Sequence, residues 1–101
     1  MLLMAAQLQL YLLMKTELKL IREQIDRIDN QLFDLILERC AKSLDAARVK
    51  GEYSVDSERE HEILEGIFQR AERAGLDPDS LVGVYREILK LSQKCQITSD
   101  R

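Results

Sequence analysis

From about Glu17 the apolar residues Leu18, Ile21, Ile25, Ile28, Leu32 and Leu35 alternate in steps of three and four. That is the seam of a helix lying against another helix, not the period of two of a strand. The pattern predicts a first helix running to about Lys50, where Gly51 stops it. A second begins near Ser57, because "SERE" reads as a capping box with Ser57 as the cap and Glu60 reaching back. Its apolar stripe is Ile63, Leu64, Ile67, Phe68 and Ala71, and Gly75 ends it. In "GLDPDS" Asp77 is an N-cap and Pro78 the first residue of a third helix, with Leu81, Tyr85, Ile88, Leu89 and Cys95 facing inward. The expected class is all-α: three helices, the first about twice as long as the others.

Counted from Lys15, the first helix is a rod of about 54 Å at 1.5 Å per residue. A compact domain of this size has a radius of gyration of about 13 Å, so the rod overhangs. A seam along an overhang is most simply covered by a second copy of the chain, and the expected assembly is an intertwined homodimer. Residues 1–14, "MLLMAAQLQLYLLM", carry no charge. They fall short of the roughly 20 apolar residues of a membrane span, and lack the basic start and cleavage site of a secretory signal. They are either an apolar extension of the first helix or residues upstream of a second translation start at Met14. The functional domain is then 15–101, in the cytoplasm and off the membrane.

Charge narrows the partners. The 101 residues carry 18 acidic against 15 basic side chains, net −3, which provides no basic field for nucleic acid. Cys40, Cys95 and a single histidine, His61, cannot assemble a Cys/His zinc site, so we expect no metal, no cofactor and no disulfide.

The informative residues are polar ones that interrupt the pattern. The seam continues from Leu35 to Arg39, whose helical neighbours Leu35, Ile36, Lys42 and Ser43 include no acid. A guanidinium there either pairs with a carboxylate of another helix or receives an anionic ligand. Lys50 lies eleven residues on, which returns within about 20° of the same face and about 16 Å along the axis. Its neighbours Ala46, Ala47, Tyr53 and Ser54 include no acid either, and small side chains at 43, 46 and 47 leave the wall between the two cations shallow. Two cations flanking a hollow suit a small dianion. On the third helix Ser92 and Gln96 share a face and offer neutral hydrogen-bonding groups, although such a serine commonly bonds its own helix. Asp56, Arg59 and Glu60 open the second helix, where the capping box accounts for Glu60 and the Asp56–Arg59–Glu62 set of charges for Arg59 without any ligand.

Taken together these motifs resemble the AroQ class of chorismate mutases, over about residues 18 to 96. "LIREQIDRIDNQLFDLILER" is similar to that family's first-helix signature, "DSEREHEIL" to the start of its second helix and "GLDPDS" to its second turn. The spacings from Arg22 to Arg39, Arg39 to Lys50, and Arg59 to Ser92 to Gln96 also match. The loop "GEYSV" departs from the family, being shorter and without its usual proline. The resemblance implies an intertwined all-helical homodimer that converts chorismate to prephenate. It places Arg22, Arg39, Lys50, Asp56, Glu60, Ser92 and Gln96 at the substrate, with Arg59 nearby. Arg22 and Arg39 are implied to clamp carboxylates, Lys50 and Gln96 to meet the ether oxygen, Ser92 to meet a carboxylate, and Glu60 with Asp56 to meet the ring hydroxyl. Arg22 is implied to come from the partner subunit, which agrees with its separation from Arg39 of about 25 Å along one helix. Two other readings share these features: an isochorismate-pyruvate lyase of the same fold, and a non-catalytic helical dimerisation or regulatory module that binds a pathway enzyme.

Overall fold

The computed structural model describes residues 1–51 and 55–99, and for 97–99 the backbone alone. It contains three helices: α1 (Leu2–Lys50), α2 (Ser57–Ala74) and α3 (Pro78–Ser99). The chain divides into two units, Met1–Leu35 and Ile36–Arg101.

The first unit is helical from Leu2, thirteen residues before the start at Lys15 that amphipathic patterning suggested. Residues 2–14 contain only Leu, Met, Ala, Gln and one Tyr, with no glycine, proline or β-branched residue, so nothing opposes the helix. Amphipathic patterning marks where one face meets a partner, not where a helix begins. Lys15 lies over the ring of Tyr11, 4.9 Å from its centre, and Thr16 donates to the Leu12 carbonyl at 2.9 Å. Every residue from 1 to 35 is exposed, and the six seam residues Leu18 to Leu35 are 44–59% exposed.

In the second unit the ends of the helices follow local rules. Gly51, at φ 74°, ends α1 and donates to the Ala47 and Arg48 carbonyls. Gly75, at φ 75°, ends α2 and donates to Ala71 and Glu72; both glycines take the left-handed conformation that a Cβ disfavours. Asp77 caps α3 by accepting from the Ser80 backbone N–H at 3.0 Å and from its hydroxyl. The cap of α2 differs from the expectation. Asp56, extended at φ −90° and ψ 91°, accepts from the Arg59 N–H at 3.0 Å, and Ser57 is already helical. Aspartate and serine cap about equally well, and the helix starts one residue earlier than the Ser57 box requires.

α2 and α3 form an antiparallel hairpin, and α3 runs parallel to the end of α1. Two side-chain ties set that register, Arg39 to Ser92 and Gln96 to Ser43, each spanning 53 residues. The core between them is thin: Cys40 and Ala47 from α1, Ile67 and Ala71 from α2, Val82, Leu89 and Ser92 from α3. Ile63, Leu64, Leu81, Tyr85, Ile88 and Cys95 are half-buried, whereas Phe68, expected inside, is 38% exposed. No helix of the described residues is long and apolar enough to cross a membrane.

Candidate active site

The C-terminal part of α1 supplies one wall of a cleft. Its buried and half-buried positions are Ile36, Arg39, Cys40, Ser43, Leu44 and Ala47, centred one step round from the heptad positions, which puts Arg39 at the edge of the packed face. There the guanidinium donates from Nη1 to Ser92 Oγ at 2.7 Å. Among the described residues no carboxylate lies within ion-pair distance of it. Ser92, 3% exposed, in turn donates to the Ile88 carbonyl at 3.0 Å. Its hydroxyl proton is thus used within its own helix while its oxygen orients Arg39. One helical turn further, Gln96 Nε2 donates to the Ser43 hydroxyl and to its carbonyl at 3.3 Å. An amide nitrogen has two N–H groups, so one can hold Ser43 while the other meets a ligand.

α2 closes the opposite side. The Asp56 carboxylate that caps α2 also lies 3.9 Å from Lys50 Nζ. Both side chains are about half exposed (46% and 49%), so the pair is worth at most about 1 kcal/mol and yields readily to a ligand. Glu60 does not reach back to its helix terminus. Its Oε1 accepts from Gln93 Nε2 of α3, which turns the carboxylate across the hairpin. Arg59 pairs with Glu62 at 3.6 Å on the exposed side of α2 and also borders the cleft.

The cleft between these walls has a volume of about 310 Å³, at the lower end of the roughly 300–1,000 Å³ of small-molecule sites. Arg39, Lys42, Lys50 and Arg59 line it against only Asp56 and Glu60, so a cationic hollow sits in a chain of net charge −3. Residues 21–97 match the family described as chorismate mutase type II. The chain belongs to this family.

Among curated proteins, the T-protein of Enterobacter agglomerans is 33% identical over 82 residues, covering 78% of this chain and 22% of that protein. The bifunctional chorismate mutase/prephenate dehydratase of Aquifex aeolicus is 38% identical over 79 residues, covering 72% and 22%. The chorismate mutase of Methanocaldococcus jannaschii is 28% identical over 79 residues, covering 75% and 80%. The chain thus spans only about a fifth of the length of the first two relatives, 22% in each. No solved structure matches it significantly.

Within this chorismate mutase type II chain, seven of the eight residues singled out from the sequence, Arg39, Lys50, Asp56, Arg59, Glu60, Ser92 and Gln96, line one cleft. The short loop does not keep Asp56 and Glu60 from Lys50, although residues 52–54 lie outside the described residues. Arg22, exposed in the first unit, is not among the lining residues. Three polar lining residues were not anticipated as part of the site: Lys42, Ser43 and Gln93. Ser43 was visible as a small residue between Arg39 and Lys50. For Gln93 the only signal was its position beside Ser92, because its partner Glu60 is 33 residues away on another helix. Among the described residues no cluster of three His, Cys, Asp or Glu is placed to hold a metal ion.

Proposed function

We propose that the chain is a chorismate mutase, rearranging chorismate to prephenate in a site completed by a second copy of itself, with 15–101 as the mutase domain and 1–14 as an apolar extension. The observation that carries this reading is the cationic cleft, with Arg39 and Lys50 at its ends and Gln96 between α1 and α3. The substrate is a dicarboxylate whose enolpyruvyl arm must fold over its ring. A C–O bond then breaks as a C–C bond forms within one molecule, with no covalent enzyme intermediate.

Such a reaction needs positioning and charge stabilisation. Arg39, held by Ser92, takes one carboxylate bidentately. Arg22, from the partner subunit, takes the other. Lys50 leaves Asp56 and, with the second N–H of Gln96, donates to the ether oxygen as partial negative charge grows there. Glu60, turned by Gln93, receives the ring hydroxyl together with Asp56. Ser92 serves a carboxylate chiefly through Arg39, because its own proton is engaged by Ile88. The half-exposed seam of the first unit supports the homodimer: six large apolar side chains in one stripe are an interface pattern.

The test is to incubate the purified chain with chorismate and follow prephenate. Turnover is expected, with Lys50→Ala slower by about 10² to 10³ and its helix content unchanged, as for loss of an oxyanion donor. A chain that leaves chorismate untouched, or that instead releases pyruvate and salicylate from isochorismate, refutes the assignment.

A further inference from the structure

Two thiols meet behind the cleft wall, and the proposed reaction uses neither. Cys40, 8% exposed, is on α1, and the half-buried Cys95 is on α3; both are free. The ties of Arg39 to Ser92 and of Gln96 to Ser43 fix the register of these two parallel segments. In that register Cys40 is level with Gln93 and Cys95 with Lys42, an offset of two residues, about 3 Å along the axes. The two thiols are thus brought close to one another between α1 and α3. The Cys40 thiol beside it, together with some desolvation and the repulsion between two would-be thiolates, holds Cys95 above the usual thiol pKa.

We infer that Cys40 and Cys95 form a thiol–disulfide exchange site for a low-molecular-weight disulfide such as oxidised glutathione, and that closing their bond switches the cleft off. Cys95, the more accessible thiol, loses its proton to solvent and attacks one sulfur of the reagent. The reagent's S–S bond breaks, and one small thiol leaves with a proton. Cys40, losing its own proton, then attacks the Cys95 sulfur of the mixed disulfide and expels the second small thiol. Two protein thiols are oxidised to one disulfide, and one small disulfide is reduced to two thiols.

The switch follows from spacing. A disulfide holds its sulfurs about 2.05 Å apart, whereas two unbonded thiols in contact stand about 3.5–4 Å apart. Closing the bond therefore draws α1 and α3 together at Cys40 and Cys95. Arg39 and Gln96 are the chain neighbours of these two residues and both line the cleft, so both move. A displacement of about 1 Å in a positioning group can cost about 10²-fold in rate. The effect on turnover rests on the mutase reading, and the thiol chemistry does not.

The experiment incubates the full chain with millimolar oxidised glutathione, then reads titratable thiols, intact mass, an unreduced peptide map and chorismate turnover. Both thiols should disappear, the mass should fall by two hydrogens, and one peptide pair should link Cys40 to Cys95. Turnover should fall at least about tenfold and return with dithiothreitol. Cys40→Ser and Cys95→Ser, at positions that do not line the cleft, should keep their rate in the oxidant. Two surviving thiols, stable glutathione adducts on the unaltered chain, or a link only between chains would overturn the site. A closed bond with unchanged turnover would overturn the switch. A chain with no turnover before oxidation refutes the mutase reading, while the thiol, mass and peptide readouts still decide the site.

Discussion

Residues 1–35 and 36–101 treat apolar surface in opposite ways. In the first, Leu18, Ile21, Ile25, Ile28, Leu32 and Leu35 form a regular stripe, yet each stays about half exposed. In the second, small side chains such as Cys40, Ala47 and Ala71 are buried, and the space they leave is lined with charge. Covering half of a Leu or Ile side chain is worth about 1 kcal/mol, so six per chain bring two chains roughly 12 kcal/mol. That is of the same order as the rigid-body cost of association, about 4–15 kcal/mol. The stripe is thus adequate as part of the proposed interface, and in the proposed dimer the second chain would add apolar surface to what the thin core of the second unit holds alone. Assembly and chemistry are read from different parts of one helix.

The largest expected effect joins the two regions. Arg22→Ala in the first and Lys50→Ala in the second should each lower kcat/KM by about 10² to 10³. If Arg22 serves the partner's cleft, a dimer of one chain of each kind has one cleft with both residues intact. Equal mixing after unfolding and refolding should then restore about a quarter of the normal activity. Mixtures as inactive as their parents would show that both residues act in one chain, and the proposed division of labour would fail.

A smaller effect isolates the stripe. Ile25→Glu sits at an exposed position of a single chain, where substitutions usually change stability by less than about 0.5 kcal/mol. Across a chain–chain interface it buries unpaired charge twice. Sedimentation should therefore report monomer with unchanged helix content, and turnover at micromolar concentration should fall at least about tenfold. An Ile25→Glu protein that remains dimeric and active rules the stripe out as the interface.

What could be read from the sequence was local or periodic. Gly51, Gly75 and the Asp77–Pro78 pair end and start helices by rules internal to a few residues, and they act as expected. Arg39 and Lys50 share a wall because helix periodicity puts them there. The start of α1 was not legible, because residues 2–14 are helix-compatible without being amphipathic. Nor was the choice of Asp56 over Ser57 as the cap, which turns on one residue's backbone angles. Pairings such as Arg39 with Ser92 and Glu60 with Gln93 depend on how each helix is rotated against the next, and the spacing of apolar residues leaves that angle loose.

Gln93 tests the polar side of the cleft at lower cost. It holds Glu60 by a hydrogen bond to a charged group, an interaction worth about 1.5–3 kcal/mol when fully buried and less here, where both residues are half-buried. Gln93→Leu should raise KM for chorismate about fivefold, roughly 1 kcal/mol, with kcat little changed, because Glu60 keeps its place on α2 but not its orientation. A fall in kcat with constant KM would mean that Gln93 contacts the reacting atoms.

The smallest effect lies away from the cleft, at the start of α3. The Ser80 hydroxyl, and then its backbone N–H, hold the Asp77 carboxyl below the usual carboxylate range. A depressed native pKa means that the unfolded chain binds the proton more readily. The cap's contribution is therefore complete above the unfolded-state pKa, about 3.9, and is lost as pH falls through the lower native value. Asp77→Asn keeps an acceptor for the Ser80 N–H but cannot titrate. Its urea midpoint should sit slightly below that of the natural chain at neutral pH, and the gap should close in acid. Because Asp77 is fully exposed, the difference is expected near the limit of the measurement, and it should leave turnover unchanged. A gap that widens on acidification would mean that the ionised carboxylate is not what holds the first turn of α3.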